Sequence, residues 1–209
     1  MTASVAEPLD VTSLRMERRL AVKRGNPVAF ARSLNLTLDP YVEEALSDTH
    51  QQQVYRWGRR TGKTTTSAIW ALYTAMTPET TSVILSPAQK QSQEALREVK
   101  QWRPVELGLV NISRGEVSFD NGSRIMCIPA TETSARGYGA QMLLLNEAAR
   151  IPEDVIHAVM PSVANTGGKV IANSTPTGRH NWFGRACFAG DWNHHGPVSS
   201  EACPRVDRK

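Results

Sequence analysis

Short apolar runs alternate with amphipathic segments along most of the chain. Four runs are largely apolar or β-branched and have the length of strands that are buried in a sheet. They are residues 54–57, 81–85, 142–145 and 169–173. Residues 63–76 and 88–101 instead have the apolar spacing of helices that face a core. Strands that alternate with helices predict an α/β fold, with a mostly parallel central sheet flanked by helices.

The remaining segments have other patterns. Residues 14–46 predict a charged helical lead-in outside the core, with breaks at Gly25-Asn26-Pro27 and Asp39-Pro40. Two short apolar runs around Asp-Asn-Gly-Ser, at residues 120–123, predict a β-hairpin. We therefore divide the chain into a helical lead-in (1–45), a central α/β domain (46–190) and a C-terminal linker or truncated end (191–209).

Composition narrows the class of protein. The formal charge of +4 and the pI of about 9.1 mildly favour anionic partners, such as nucleotides or nucleic acid. Three irregularly spaced cysteines favour a reducing cytoplasm. No apolar run approaches the roughly 18 residues that span a bilayer, so no membrane association is expected.

The stretch RWGRRTGKTTT, residues 56–66, predicts a phosphate-binding loop between a strand and a helix. Gly62 lets the backbone approach phosphates, Lys63 can reach the terminal phosphates, and Thr64 places a hydroxyl where Mg²⁺ would bind. The usual loop has a glycine six positions before the lysine, where this chain has Trp57, and Gly58 follows one residue later. The flanking strand and helix favour a nucleotide site over the alternative, a basic surface loop.

A second candidate element follows the apolar run 142–145. Glu147 at the end of this predicted strand could orient and deprotonate an attacking water, although it could instead cap the helix that begins near Pro152. Asn146 could accept a hydrogen bond from a metal-bound water, but it lacks the negative charge of an aspartate. Because hydrogen bonds to charged groups are about twice as strong as neutral ones, we expect weaker Mg·ATP binding and turnover lowered about tenfold or more.

A third candidate element, Ser174-Thr175-Pro176, follows the predicted strand 169–173. Carboxyl ends of parallel strands meet at one edge of the sheet, where ligands bind. The two hydroxyl groups could therefore sense the γ-phosphate. The alternative is an ordinary Ser-Thr-Pro turn.

Several stretches, taken together, resemble the ATPase domain of the large terminase subunit of tailed bacteriophages. They are GRRTGKTT, SPAQKQSQEAL, NGSRI, ARGYGAQMLLLNEAAR and NSTPTGRHNWF, which span residues 58–183. In that family a Gly, Ala or Ser followed by Arg replaces the early glycine of the loop, as Gly58-Arg59 does here. The resemblance implies a P-loop NTPase fold of the RecA/ASCE type, with ATP and Mg²⁺ as cofactors.

The resemblance also implies roles for individual residues. Glu147, Arg59 and Arg136 are the expected catalytic residues. Arg59 would help to neutralise the γ-phosphate or would couple the nucleotide state to motion, and Arg136 would act as an arginine finger across a subunit boundary. An ordinary surface or backbone-binding arginine is the alternative for Arg136. Ser174, Thr175 and Pro176 would couple hydrolysis to DNA movement, and Thr64 and Asn146 would hold Mg²⁺, Asn146 through water. The expected nucleotide-binding residues are Gly58, Arg59, Arg60, Thr61, Gly62, Lys63, Thr64 and Thr65.

The function that the resemblance implies is an ATP-hydrolysing motor that moves double-stranded DNA into a procapsid. Its expected partners are the terminase small subunit, the portal of the procapsid and further copies of the chain in a ring, in the host cytoplasm. The family's nuclease domain would begin where this chain ends, and residues 184–209 contain no acidic cluster, so no nuclease activity is expected. The alternatives are a degenerate remnant that binds nucleotide or DNA with little turnover, and a helicase-like ATPase fragment, which would need a second RecA-like domain.

Two further groups of residues have weaker patterns. Cys187, His194, His195 and Cys203 match none of the compact spacings of zinc ligands, so we do not expect a zinc site. Basic residues at positions 18, 19, 23 and 24 could contact DNA phosphates, but the pattern favours a solvated helix face.

Overall fold

The computed structural model describes residues 11–130 and 139–203. The strands are β1 (Gln52–Trp57), β2 (Thr81–Ser86), β3 (Leu109–Ile112), β4 (Glu116–Phe119), β5 (Arg124–Pro129), β6 (Met142–Asn146), β7 (Lys169–Ser174) and β8 (Asn193–Val198). The helices are α1 (Val11–Lys23), α2 (Pro27–Arg32), α3 (Pro40–Ser47), α4 (Lys63–Ala75), α5 (Gln89–Trp102), α6 (Glu153–Val159), α7 (Pro161–Ala164) and α8 (Trp182–Ala186). Within these ranges no helix is long and apolar enough to cross a membrane.

The strands form one sheet of eight in the order β3-β4-β5-β2-β6-β7-β1-β8. In this sheet order, the six strands β5-β2-β6-β7-β1-β8 are parallel to their neighbours, whereas the pairs β3-β4 and β4-β5 are antiparallel. The predicted α/β fold with a mostly parallel sheet is confirmed, as is the hairpin of β4 and β5. Because β7 lies between β1 and β6, the segments that follow these three strands meet at one edge, which we call the carboxyl edge.

Each face of the sheet is covered by its own hydrophobic core. One core packs α4 and α5 together with the N-terminal helices, and the other contains residues of α6, α7 and α8. Phe30 and Leu46 are fully buried in the first core, and Phe30 lies edge-on to Tyr73 with ring centroids 5.5 Å apart. The expectation that residues 14–46 lie outside the core is therefore wrong, because their few large apolar side chains pack against α4 and β1.

The C-terminal segment also differs from the expectation. Residues 191–209 were predicted as a linker or truncated end, whereas Asn193–Val198 form β8, which pairs in parallel with β1. Polar contacts hold this strand in place. Asn193 Nδ2 donates to Asp48 Oδ2 at 2.7 Å, and His195 Nε2 lies 2.8 Å from the same oxygen.

Asp48, His50, Asn193 and His195 form a cluster beside the amino ends of β1, β7 and β8, which we call the Asp48 cluster. The backbone N and Nδ1 of His50 lie 2.8 and 2.6 Å from Asp48 Oδ1, so the carboxylate has four close polar contacts. Lys169 donates from Nζ to the Asp48 carbonyl at 2.9 Å. Burial lowers the pKa of Lys169 to about 8, and the negative charge of Asp48 partly offsets this effect.

The basic residues of α1 do not share one environment. Arg18 is buried, pairs with Glu106 at 2.9 Å and donates to the Ser33 carbonyl at 3.0 Å. The predicted solvated helix face is therefore wrong for Arg18, whereas Arg19, Lys23 and Arg24 are exposed.

Candidate nucleotide-binding site

The predicted phosphate loop connects the end of β1 to the start of α4. Gly62 precedes α4 in the left-handed region, with φ 82°, a conformation that glycine adopts without steric cost. Within the loop, Thr61 Oγ1 donates to the Gly58 carbonyl at 2.8 Å, and Tyr41 donates from its hydroxyl to the Thr61 carbonyl at 3.1 Å. These contacts connect the two ends of the loop and tie the loop to α3.

The surroundings of Trp57 and Gly58 account for a glycine five, instead of six, positions before Lys63. The Trp57 side chain is fully buried and stacks on Tyr55 with ring centroids 4.8 Å apart, so it belongs to the core. The Gly58 amide donates to the Val198 carbonyl at 2.8 Å. A Cβ on Gly58 would lie 2.6 Å from the backbone nitrogen of Ser200, so this position has no room for a side chain.

Lys63 connects the loop to the ends of two other strands. Its ammonium donates to the Gly58 carbonyl at 2.6 Å and to Thr175 Oγ1 at 3.2 Å, and it lies 3.5 Å from Glu147 Oε1. Burial lowers the pKa of Lys63, and the nearby carboxylate of Glu147 opposes this shift.

Glu147 directly follows β6 and has an unusual backbone. Its φ of 54° and ψ of 45° place a residue with a side chain in the left-handed region, which costs about 1 kcal/mol or more. Its Oε2 accepts hydrogen bonds from Ser174 Oγ and the Thr175 amide, both at 3.3 Å. Glu147 makes no side-chain capping bond to the 3-10 turn Ala148–Arg150 that follows it, so its carboxylate faces Lys63 instead of capping a helix.

A cavity of about 500 Å³ opens beside these groups, a volume within the range of ligand pockets in proteins. Its predicted lining residues are Arg59, Arg60, Gly62, Lys63, Thr64, Thr65, Asn146, Glu147 and Thr175. Gly58 and Thr61 shape the loop behind it, Ser174 holds Glu147, and Pro176 is exposed after Thr175. Arg136 lies outside the described residues.

Four lining residues were not predicted. They are Gln91, Glu94 and Glu98 of α5, and Arg150. The spacing of three and then four residues in α5 places the first three on one helix face, a signal that the sequence contains. Nothing in the sequence indicates that this face looks onto the phosphate loop.

The residues of the cavity fit a metal ion that is shared with a bound phosphate. Asn146 is buried, and within the described ranges its Oδ1 has no hydrogen-bond partner. A neutral oxygen donor that lines the same cavity as Thr64 suits Mg²⁺, which usually keeps several waters and binds phosphates together with one or two protein oxygens. Residues 11–130 and 139–203 contain no group of three or more His, Cys, Asp or Glu that could hold a metal ion.

Comparison with solved structures identifies the fold as that of terminase ATPase domains. The chain is similar to the large terminase ATPase domain of Thermus phage P74-26, with TM-score 0.70 and 19% identity over 82% of this chain and 84% of that one. It is also similar to the large terminase of a thermophilic bacteriophage solved with ATP-γ-S, with TM-score 0.61 and 13% identity over 92% of this chain and 46% of that one. At these identities the likeness establishes the fold, and the predicted P-loop fold of the ASCE type is confirmed. The strand order agrees with this fold, because β7 lies between β1, which precedes the phosphate loop, and β6, which precedes Glu147.

A family model gives the same assignment from the sequence. Residues 54–186 match the N-terminal part of the terminase large subunit, T4likevirus-type. The chain spans less than half of the longer large terminases, such as that of bacteriophage HK97, with TM-score 0.57 and 12% identity over 67% of this chain and 33% of that one. Because the family match covers more than half of the sequence, the chain belongs to the terminase large subunit family.

Proposed function

We propose that this chain is the ATP-hydrolysing motor of a viral DNA-packaging terminase and couples hydrolysis to the movement of double-stranded DNA into a procapsid. One observation carries the proposal: Lys63 of the loop and Glu147 of the neighbouring strand end lie 3.5 Å apart beside one cavity. Family membership and the likeness to terminase ATPase domains favour this motor over a degenerate remnant with little turnover.

The loop would bind the triphosphate. Its backbone amides and the positive end of the α4 dipole attract phosphate, and Lys63 would exchange its bond to the Gly58 carbonyl for the phosphate oxygens. Arg59 and Arg60 are exposed cations on the cavity wall and would neutralise further phosphate charge. Thr64 and Asn146 would hold Mg²⁺, which when bound stabilises the charge that develops on the transferred phosphoryl group.

Glu147 would be the general base. While it pairs with Lys63, its carboxylate is occupied. Once phosphate takes the contact with Lys63, the carboxylate is released to accept the proton of an attacking water. Thr175 contacts both Lys63 and Glu147, which supports a coupling role for Ser174, Thr175 and Pro176. We also propose Arg136 as the finger that reaches the nucleotide of a neighbouring subunit.

The partners that we propose rest on family membership. They are double-stranded DNA, the terminase small subunit, the portal of the procapsid, and further copies of the chain in a ring, all in the host cytoplasm. We also propose residues 46–190 as the P-loop ATPase domain, and the helices before it and β8 after it pack on the same sheet.

Release of phosphate from ATP, measured with and without double-stranded DNA, tests this function. Lys63→Ala should lower the rate by about 100-fold or more, because it removes a cation from the developing phosphate charge. Lys23→Ala is the matched control, since Lys23 is exposed on α1 and should leave the rate unchanged. A rate that does not change in Lys63→Ala would contradict the proposed function.

A further inference from the structure

Asn146 leaves the phosphate pocket with less negative charge than P-loop NTPases usually place beside their metal. In such sites the loop Ser or Thr and an aspartate at a strand end hold Mg²⁺. In this chain the strand-end residue is neutral and 2% exposed, and its Oδ1 has no hydrogen-bond partner among the described residues. A buried oxygen of this kind points to a ligand that it would bind.

Glu147 is poorly placed to supply the missing charge. Its Oε1 pairs with Lys63, and its Oε2 accepts from Ser174 and Thr175. Both carboxylate oxygens therefore already have partners, and the general-base role requires this carboxylate for water.

Glu98 of α5 is the carboxylate that the fold positions best. Its Oε2 accepts hydrogen bonds from Thr65 Oγ1 at 2.9 Å and from Trp102 Nε1 at 3.0 Å. Both bonds go to the same oxygen, so in the described part of the chain Oε1 has no partner. Thr65 directly follows Thr64, and the cavity is lined by Thr64, Glu98 and Asn146 together.

The cavity already has four cationic side chains on its wall, those of Arg59, Arg60, Lys63 and Arg150, and within the described ranges none of them forms an ion pair or hydrogen bond with Glu98. A phosphate in the cavity and a carboxylate fixed on its wall repel each other, and a divalent cation between them converts this repulsion into attraction. We propose that Glu98 is the carboxylate that holds the divalent cation of the bound nucleotide, directly or through water. The inference rests on the proposed function, because the cation arrives with the nucleotide phosphates.

Glu94 provides the internal comparison. It lies one turn before Glu98 on the same helix and lines the same cavity, but it is exposed and makes no hydrogen bond within the described ranges. A carboxylate that is fixed in place loses less conformational entropy on binding a cation than one that is free. A comparison of variants at these two positions therefore distinguishes a specific cation site from a general effect of the negative charge of α5.

Binding of Mn²⁺ in the presence of ADP, followed by electron paramagnetic resonance, tests the assignment. Glu98→Gln removes the charge, while the glutamine carbonyl oxygen can still accept from Thr65 and Trp102. We expect Mn²⁺ affinity to fall about tenfold in this variant and by less than about twofold in Glu94→Gln. Adding Asn146→Asp to Glu98→Gln should restore the affinity to within about threefold of the unaltered chain.

Two results would overturn the inference: an unchanged Mn²⁺ affinity in Glu98→Gln, or an equal loss in Glu94→Gln. If Glu98→Gln does not fold, as judged by circular dichroism, Asn146→Asp alone decides. If Mn²⁺ affinity rises by less than about threefold in Asn146→Asp, the site already contains a carboxylate, as proposed. If Mn²⁺ affinity rises by about tenfold or more, the assignment of Glu98 is contradicted.

The same titrations separate this inference from the proposed function. If ADP does not bind the unaltered chain, or binds equally well to Lys63→Ala, the proposed function fails. If ADP binding depends on Lys63 while Mn²⁺ affinity does not depend on Glu98, only the assignment of Glu98 fails.

Discussion

The two ends of β1 and β7 both carry buried charge, but they differ in how completely it is paired. At the amino ends, the Asp48 side chain is 5% exposed and has four close polar contacts from His50, Asn193 and His195. At the carboxyl edge, Lys63 and Glu147 lie 3.5 Å apart beside a cavity, and Asn146 Oδ1 has no partner in the described ranges. Within the described ranges His195 Nδ1 at the amino ends also has no hydrogen-bond partner, but both oxygens of the Asp48 carboxylate are engaged. The carboxyl edge adjoins a cavity and has capacity left for a ligand.

The difference shows which buried charges indicate a site. Burial opposes ionisation of Asp48, but the hydrogen bonds from Asn193, His50 and His195 outweigh it and hold the pKa of Asp48 well below its ordinary value. A buried carboxylate with both oxygens hydrogen-bonded stabilises the fold. A left-handed glutamate and an adjoining cavity instead mark a place where structure is maintained for binding or chemistry. The comparison predicts that changes at the carboxyl edge alter turnover and that changes in the Asp48 cluster alter stability.

The largest effect is expected for Glu147→Gln. Loss of the general base should slow ATP hydrolysis by about 1,000-fold, while ADP affinity should change by less than about threefold. Phosphate release and ADP titration measure the two quantities, and Glu17→Gln, at an exposed carboxylate of α1, is the control. If ADP affinity falls as far as the hydrolysis rate, Glu147 has a structural role and the contrast between the two edges is lost.

A smaller effect is expected for Asp48→Ala, on stability alone. Removing the carboxylate leaves the half-buried amide of Asn193 and the buried ring of His195 without their acceptor, so the free energy of unfolding should fall by about 3 kcal/mol. Urea unfolding measures it, and Asp191→Ala, at an exposed aspartate, should change it by less than about 0.5 kcal/mol. If Asp48→Ala and the unaltered chain unfold at the same midpoint concentration of urea, the cluster contributes nothing to stability.

The smallest expected effect is on the stability of the fold at acid pH. Because the pKa of Asp48 is lower in the folded chain than its value of about 3.9 in the unfolded chain, the unfolded chain takes up the proton first as the pH falls. The contribution of Asp48 is complete well above pH 4 and is lost as the pH falls through the folded-state pKa. Between about pH 5 and pH 3 the free energy of unfolding should fall by about 1 kcal/mol more in the native chain than in Asp48→Asn. Urea unfolding at each pH measures this difference. If the free energy of unfolding falls by the same amount in both proteins between about pH 5 and pH 3, the prediction is contradicted.

The sequence predicts the fold where local pattern decides it. β2, β6 and β7 are apolar runs, and the Asn-Gly turn identifies the hairpin. β8 has the sequence NHHGPV, without an apolar pattern, and the contact of His195 with Asp48, 147 positions earlier, holds it in the sheet. All four residues of β3 are exposed, so that strand also has no pattern of burial to detect.

The same distinction holds at the site. The spacing of the loop identifies Lys63, and the position after a buried strand identifies Glu147. Glu98 could not be chosen among the polar residues of α5, because its position depends on the packing of α5 against α4. The need for glycine at residue 58 likewise depends on Ser200, which lies far along the chain.

The contact at Gly58 has a mechanical consequence. The first residue of the phosphate loop is bonded to Val198 and has Ser200 packed against its α-carbon. A displacement of residues 198–200 would therefore reach the loop through one hydrogen bond and one packing contact. Tension on this segment would change the shape of the nucleotide pocket directly, and a change in the pocket would pull on the segment in return.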